Sequence, residues 1–219
     1  MFGMLDGIVP PLIVVVIAAL LIWCRRLYLR RHKEHDRRAD VAVVIALVVL
    51  TASLEIGMGR SLTYTNGPVR LWVGDVNSDQ NSQQISDPYS FTHVIHGALF
   101  YGVTYLAMGP ASIGARAVVA LAIESAWEVY ENTDTVINRY RAATIALGYY
   151  GDSVTNSVAD ILCCLLGFVL ARRLAWWWTV SWVVVTEIAL AIAIHDNLTL
   201  NIIMLIRPIE AIKQWQLGG

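Results

Sequence analysis

The sequence is poor in charged residues, which occupy only 15% of its 219 positions. Soluble globular chains carry about a quarter. With 57% hydrophobic residues and a mean hydropathy of +0.56, a water-soluble domain would expose too much apolar surface, so the composition predicts a membrane protein. The formal net charge of −1 and the lack of a basic stretch with a nucleic-acid-binding motif give no reason to expect a nucleic-acid partner.

Cysteine is also scarce. The three cysteines, Cys24, Cys163 and Cys164, lie inside apolar runs and lack Cys-x-x-Cys spacing. This pattern indicates neither a disulfide framework nor a thiolate metal site. The chain also lacks internal repeats and a glycine-rich phosphate loop.

Long apolar runs, in contrast, are abundant. A bilayer core needs about 20 apolar residues per helix, and six runs meet this length approximately: Ile8–Cys24, Val41–Gly57, His93–Met108, Ile113–Tyr130, Val154–Ala171 and Ala175–Ile194. Leu198–Ile206 is half as long and favours an interfacial or re-entrant helix. We expect an all-α membrane protein, with one domain over residues 1–219, six transmembrane helices and this C-terminal half-length or interfacial helix.

The basic residues predict the orientation of these helices. Seven Lys and Arg residues lie between the first two runs, and short loops of this kind stay cytoplasmic; they are Arg25, Arg26, Arg30, Arg31, Lys33, Arg37 and Arg38. In a bacterial inner membrane the N-terminus is then periplasmic, and residues 59–92 form a periplasmic loop or cap. Met1–Pro11 has no Lys or Arg, which argues for an uncleaved first helix.

Polar residues collect at the predicted outer ends of the spans. His93 and His96 share a helix face, and so do Glu124, Glu128 and Glu131, because residues three, four and seven apart lie on one side. A third stripe lies at the start of the fifth run and consists of Asp152, Asn156 and Asp160. A fourth polar cluster lies in and after the sixth run and consists of Glu187, His195, Asp196 and Asn197. Charged groups inside a membrane cost about 2.5 to 3.5 kcal/mol each, so this convergence predicts a polar cleft open to the periplasm.

Imidazole and carboxylate together suit zinc, manganese or iron. The candidate ligands of a divalent metal are His93, His96, Glu128 and Asp152. Either Glu124 or Asp160 is a candidate general base. We therefore predict a metal-assisted hydrolase or transferase that acts on a membrane lipid or a lipid-linked substrate, with a metal-bound hydroxide as nucleophile.

Substrate contacts are expected from the same outer side. Arg139 or Arg141 is a candidate for holding a phosphate. Asn156 and Asn197 are further candidates for binding the substrate.

The sequence is also compatible with other functions. A metal-free aspartyl peptidase would pair Asp160 with Asp152 or Asp196. A transporter, or an accessory subunit that binds a protein or a cofactor, would use the polar stripes without catalysis. Haem would require His195 to face His93 or His96.

The chain resembles an uncharacterised alphaproteobacterial family of multi-pass inner-membrane proteins, a domain of unknown function. The resemblance runs from about Gly59 to Gly219 and implies a membrane location but no activity. After Arg60 the chain departs from the family pattern, because it has Ser61-Leu62-Thr63-Tyr64 where members carry cysteines. The matching stretches are Arg70-Leu71-Trp72, Asn81-Ser82-Gln83, His93-Val94-Ile95-His96-Gly97, Glu128 to Asn132, Tyr140-Arg141-Ala142-Ala143-Thr144, Tyr149-Tyr150-Gly151-Asp152-Ser153 and Asp196-Asn197-Leu198-Thr199-Leu200-Asn201.

A looser similarity links the chain to VanZ-like membrane proteins. It rests on the order of His93 or His96, Glu128, Asp152, Asn156 and Gly167. The stretch from Asn156 to Asp160 also resembles the Asn-x-Ala-Asp motif of lipoprotein signal peptidases, but an extra residue separates the Asn from the Ala.

Overall fold

A computed structural model describes residues 7–32, 37–144 and 148–218. All regular secondary structure in these ranges is helical. The described residues form nine helices, in chain order α1 (Val9–His32), α2 (Arg37–Gly57), α3 (Ser90–Met108), α4 (Ile113–Glu131), α5 (Asp134–Ala143), α6 (Val154–Arg173), α7 (Trp176–Ile194), α8 (Leu198–Ile206) and α9 (Glu210–Gln216).

Four of these helices are long and apolar enough to cross a membrane: α1 over Val9–Leu29, α2, α6 and α7. The apolar sequence therefore does form long helices, and the molecule is a membrane protein. The other two predicted spans, α3 and α4, are 19 residues each, but histidine and glutamate side chains interrupt their apolar character. The six-span count is thus not established by length and composition.

Helix α4 is central because it packs against α1, α2, α3 and α6. Its Val118 joins Ala18 and Leu47 in one buried cluster. Its Leu121 packs with Ile161 in another. This position buries the polar C-terminal half of α4 between other helices.

Helices α3 and α6 approach each other most closely. A Cβ at Gly97 would lie 1.9 Å from the carbonyl oxygen of Cys164, and a Cβ at Gly167 would lie 1.9 Å from that of Val94. Small residues allow helix backbones to come this close in membranes. The contact fixes His93 and His96 relative to Asp160 on α6.

Side-chain caps set several helix starts. The hydroxyls of Ser112, Thr133 and Ser153 accept from backbone N–H groups in the first turns of α4, α5 and α6, which satisfies donors that have no partner within the helix. Residues 131–151, which lie between two of the predicted spans, include α5. Its polar sequence does not resemble a membrane span, and that is why the hydropathy pattern missed it.

The segment between α2 and α3 has turns rather than regular structure. Its backbone covers the start of α6, because Ser61 and Ser82 accept hydrogen bonds from the N–H groups of Val154 and Ser153. Helix α8 has the half-length that the sequence predicts, and α9 follows it. Of the basic cluster, Lys33 lies outside the described residues.

Candidate functional site

Two histidines of α3 converge on one carboxylate of α4. His93 Nδ1 lies 2.6 Å from Glu124 Oε1, and His96 Nδ1 lies 3.2 and 3.1 Å from its two oxygens. Glu124 is completely buried, His93 is buried and His96 is partly buried. Their candidate ligand atoms all lie within 4.8 Å of one another, so the three residues can hold a metal ion.

Two further carboxyl groups surround His93. Glu128 Oε1 is 3.1 Å from His93 Nδ1, and Asp160 Oδ2 is 3.8 Å from His93 Nε2. The contact of Nδ1 with Glu124 is the shorter one, and Glu128 Oε1 has no hydrogen bond among the described residues. Asp160 Oδ1 is likewise buried without a partner among the described residues.

Buried oxygen atoms without a hydrogen-bond partner, such as those of Glu128 and Asp160, indicate that a ligand can bind beside them. A buried polar atom without a partner costs roughly 1–3 kcal/mol, and native structures contain few of them. The unpartnered oxygens of Glu128 and Asp160 belong to carboxyl groups that lie against His93. The site around His93 therefore has both the ligand atoms and the free polar groups that a bound ion or substrate requires.

The candidate metal ligands are distributed differently from the sequence prediction. His93 and His96 meet Glu124, which the sequence assigned as a candidate base, while Glu128 lies beside them. Asp152 precedes α6 and instead contacts Asn132 Nδ2 (3.3 Å) and the Tyr149 hydroxyl (3.0 Å). Burial raises the pKa of Asp152 well above its ordinary value, and the nearby charge of Glu131 is the second largest cause of this rise.

Glu55 is a buried carboxylate that the sequence analysis missed. It ends the stripe of buried residues Val43, Leu47 and Thr51 on α2 and is completely buried. Asn132 Nδ2 lies 3.4 Å from its Oε1. A lone acidic residue near the end of an apolar run resembles an interfacial residue; its four-residue spacing from the apolar stripe was the available signal for burial.

The two candidate phosphate-binding arginines both contact backbone carbonyls. Arg139 donates to the carbonyls of Leu205 and Ile206 at the end of α8. Arg141 donates to the carbonyl of Tyr149. Both side chains are exposed, and in this arrangement they connect α5 to its neighbours.

Asp196, a candidate catalytic residue, lies in a separate polar group. Its carboxylate accepts from the Tyr89 hydroxyl at 3.1 Å and from Gln216 Nε2 at 3.0 Å. Burial raises the pKa of Asp196 to about 6. The contacts that the structure describes for Asp152 and Asp196 thus join each of them to different neighbours rather than to Asp160.

Asn197 and Glu187 meet at the start of α8. Asn197 Oδ1 accepts from Leu200 N at 2.8 Å, as a helix N-cap does. Glu187 accepts from the N–H groups of Leu198 and Thr199. His195, the candidate haem ligand, packs its ring 5.2 Å from that of Trp215.

The fold and site together define a helical membrane protein with a buried group of histidine and carboxylate side chains. A family model described as "Protein of unknown function (DUF2585)" matches residues 55–218. The chain belongs to this family.

Several relatives carry the designation UPF0314 protein. The one from Sphingopyxis alaskensis is 49% identical over 182 residues, which are 83% of this chain and 97% of the relative. The one from Sinorhizobium fredii is 50% identical over 175 residues, 80% of this chain and 87% of the relative. The one from Rhizobium etli CIAT 652 is 47% identical over 192 residues, 88% of this chain and 96% of the relative. No solved structure matches the chain.

Proposed function

We propose that this protein is a metal-dependent membrane hydrolase or transferase that acts on a lipid or a lipid-linked substrate. One observation carries the proposal: two imidazoles and one carboxylate converge in a buried site, beside two carboxyl groups with unpartnered oxygens. Mixed nitrogen and oxygen ligands suit zinc, manganese or iron. A divalent ion would offset the surplus of negative charge around His93.

The geometry revises the proposed ligand set. His93, His96 and Glu124 would hold the ion, which would take the place of the protons between the Nδ1 atoms and the carboxylate. A metal bound there would supply a hydroxide nucleophile near neutral pH. Glu128 Oε1 and Asp160 Oδ1, which lack partners among the described residues, would accept the proton of the attacking water or bind the substrate.

The surroundings of the site support the proposal of a membrane substrate. Helices α3 and α4 carry the polar residues and pack among the long apolar helices. We propose that both cross the bilayer, giving six spans, with the N-terminus and the site on the periplasmic side of the inner membrane. The similarity to VanZ-like proteins concerns the same His93, Glu128 and Asn156 and stays a prediction.

Metal analysis of the full chain tests the proposal. The protein is purified in mild detergent, incubated with zinc, manganese or ferrous iron, freed of unbound metal and analysed for its metal content. We expect one retained ion per chain, lost in His93→Ala and Glu124→Gln. The matched control is His195→Ala, because His195 is exposed and lies outside the cluster. Substoichiometric metal in the wild type, or full retention in both cluster variants, would overturn the metal site.

Catalysis needs a separate readout. Lipid extracted from alphaproteobacterial membranes is incubated with the loaded protein, and the products are followed by mass spectrometry. Glu128→Gln should keep the ion and lose the conversion, since the amide cannot accept a proton. A loaded wild-type protein that changes no lipid would favour a non-enzymatic role for the bound metal.

A further inference from the structure

His96 has the most exposed side chain in the histidine cluster (His93, His96 and Glu124). The exposed fraction is 12%, compared with 8% for His93 and 0% for Glu124. Residues three and seven positions apart share one side of a helix, so His96 lies in a stripe of α3 with Leu99 and Val103. These two side chains are 48% and 57% exposed. The stripe therefore lies on the outside of the helix bundle, and the histidine cluster reaches this outer surface at His96.

A matching stripe runs along α4. Trp127 and Tyr130 are four and seven positions after Ile123 and share one side of the helix with it. Ile123 and Tyr130 are exposed, and Trp127 between them is partly exposed. The Trp127 ring lies 6.2 Å from the ring of His96 and 6.0 Å from that of Tyr130. The stripes of α3 and α4 thus adjoin and form one continuous face, the lateral surface, which consists of His96, Leu99, Val103, Ile123, Trp127 and Tyr130.

The ring of His96 is held in place but keeps one nitrogen without a partner. Phe100 stacks on the ring at 5.7 Å with an angle of 30° between the planes, and Trp127 meets the ring at 86°. Nδ1 contacts Glu124, whereas Nε2 has no hydrogen bond among the described residues. In the bilayer that α3 is proposed to cross, no water is available to a polar group. Nε2 therefore requires a partner from a molecule that lies on the lateral surface.

The chemistry of the metal site determines what this partner must offer. A metal on Nδ1 leaves the ring proton on Nε2, so Nε2 donates a hydrogen bond and its partner is an acceptor oxygen. This step rests on the proposed function. Membrane lipids carry acceptor oxygens in their phosphate groups and in the ester carbonyls that join the acyl chains to the head group.

The depth of His96 separates these two kinds of oxygen. Helix α3 has 19 residues, which at 1.5 Å per residue is about 28 Å, close to the thickness of the hydrocarbon core. His96 follows Ser90, the first residue of α3, by six positions, and therefore lies about 9 Å inside the core. Phosphate groups lie outside the hydrocarbon core, whereas an ester carbonyl begins the acyl chain at its boundary. The ester is thus the acceptor that comes closer to His96.

The rest of the lateral surface follows the polarity of such a lipid. Toward the proposed cytoplasmic end it is purely apolar, with Leu99, Val103 and Ile123, whereas its outermost residue, Tyr130, carries a hydroxyl. We propose that the lateral surface binds one glycerophospholipid, whose ester carbonyl accepts from His96 Nε2 and whose acyl chain lies along the apolar residues. The substrate of the proposed enzyme is then an acyl-ester lipid that enters sideways from the outer leaflet.

Selection between an ester lipid and its ether analogue tests the lateral surface. The metal-loaded full chain is reconstituted in an equal mixture of dioleoyl phosphatidylglycerol and its diether analogue, which has the same head group and chains but no ester carbonyl. The protein is extracted in mild detergent, and the retained lipid is identified by mass spectrometry, with cleaved ester lipid counted as ester. We expect a roughly three- to tenfold enrichment of the ester over the ether, the effect of one hydrogen bond.

A pair of tryptophan variants locates the binding surface. Trp127→Ala removes the ring that contacts His96 and should return the retained lipid to the composition of the mixture. Trp177→Ala is the matched control and should keep the enrichment, because Trp177 is an exposed residue of α7 outside the lateral surface. Absence of enrichment in the wild type, or full enrichment in Trp127→Ala, would overturn the lipid site.

The metal content of the same samples separates this proposal from the proposed function. Trp127→Ala should keep its metal, since Trp127 does not belong to the histidine cluster. A full equivalent of metal without ester enrichment would contradict the lipid site and leave the metal site standing. Ester enrichment without bound metal would contradict the metal site and leave the lipid site standing.

A labelling experiment leaves the aromatic residues intact and so covers a Trp127 variant that does not fold. In a chain without the three native cysteines, Ile123→Cys or Val185→Cys is coupled to a benzophenone maleimide and irradiated in the same lipid mixture. Ile123 belongs to the lateral surface, and Val185 is an exposed residue of α7. We expect preferential capture of the ester lipid at position 123 and equal capture of both lipids at position 185. The same ratio of captured lipids at the two positions would refute binding at the lateral surface.

Discussion

Individual carboxyl groups in this protein differ by the hydrogen bonds that they receive. Asp87 accepts from the backbone N–H groups of Ser82 and Tyr89, and this role is structural. Glu55, Glu128 and Asp160 each keep one buried oxygen without a partner in the described part of the chain. Burial alone does not separate these two groups, whereas the count of donors does.

Asp196 predicts a pH dependence of stability. Its folded pKa of about 6 lies above its ordinary value of 3.8 because the group is buried. The contribution of Asp196 to stability is therefore fully present below about pH 4 and is lost as the pH rises through 6, since the unfolded state ionises first. The shift corresponds to about 3 kcal/mol at most.

The Asp196→Asn variant isolates this effect. Unfolding by denaturant in detergent is measured from pH 4 to pH 7 for both proteins. We expect the wild type to lose more stability than Asp196→Asn between pH 4 and pH 6. Parallel stability curves for the two proteins would show that Asp196 is not the titrating group.

At the scale of the helices, the contact of α3 with α6 holds the site together. Gly97 and Gly167 each face a backbone carbonyl of the other helix. An added methyl group at either position must push the two helices apart, because backbone cannot move aside as a flexible side chain can. The histidines of α3 and Asp160 of α6 would then lose their alignment.

Replacing Gly167 tests this packing without touching the site. Gly167→Ala should destabilise the protein by about 1–3 kcal/mol or more, the cost of overpacking, measured as a lower midpoint of unfolding. Gly102→Ala is the control, because a Cβ at Gly102 meets nothing within 4 Å. Equal stability of the two variants would contradict a close contact between α3 and α6.

At the scale of the whole molecule, apolar side chains cover much of the surface. Helix α7 is the extreme case: within it only Leu190 is buried, while Trp176, Val185 and Ile192 are exposed. In a membrane these side chains meet lipid tails instead of water. The same apolar exterior surrounds a polar interior, which is the reverse of a soluble protein.

The predicted orientation is testable with cysteines on opposite sides. In a variant without the three native cysteines, Asn66→Cys should react with a membrane-impermeant maleimide in intact spheroplasts. Ala175→Cys, between α6 and α7, should react only after permeabilisation. Both positions are exposed. The reverse pattern would place the N-terminus and the candidate site in the cytoplasm.

The sequence by itself determined the class of protein and the presence of most helices, because long apolar runs satisfy their backbone groups only as helices in a bilayer. It also identified His93, His96, Glu124 and Asp160 as unusual, since polar groups inside apolar runs are costly. It did not reveal α5, whose polar composition gives no hydropathy signal.

Only the tertiary structure decided which of these groups meet. Sequence spacing relates residues within one helix, but the crossing of α3 and α6 at two glycines determines the distances between helices. That crossing and the central position of α4 place His93 against Glu124 and leave Asp152 with Asn132. The burial of Glu55 depends in the same way on the helices packed around α2.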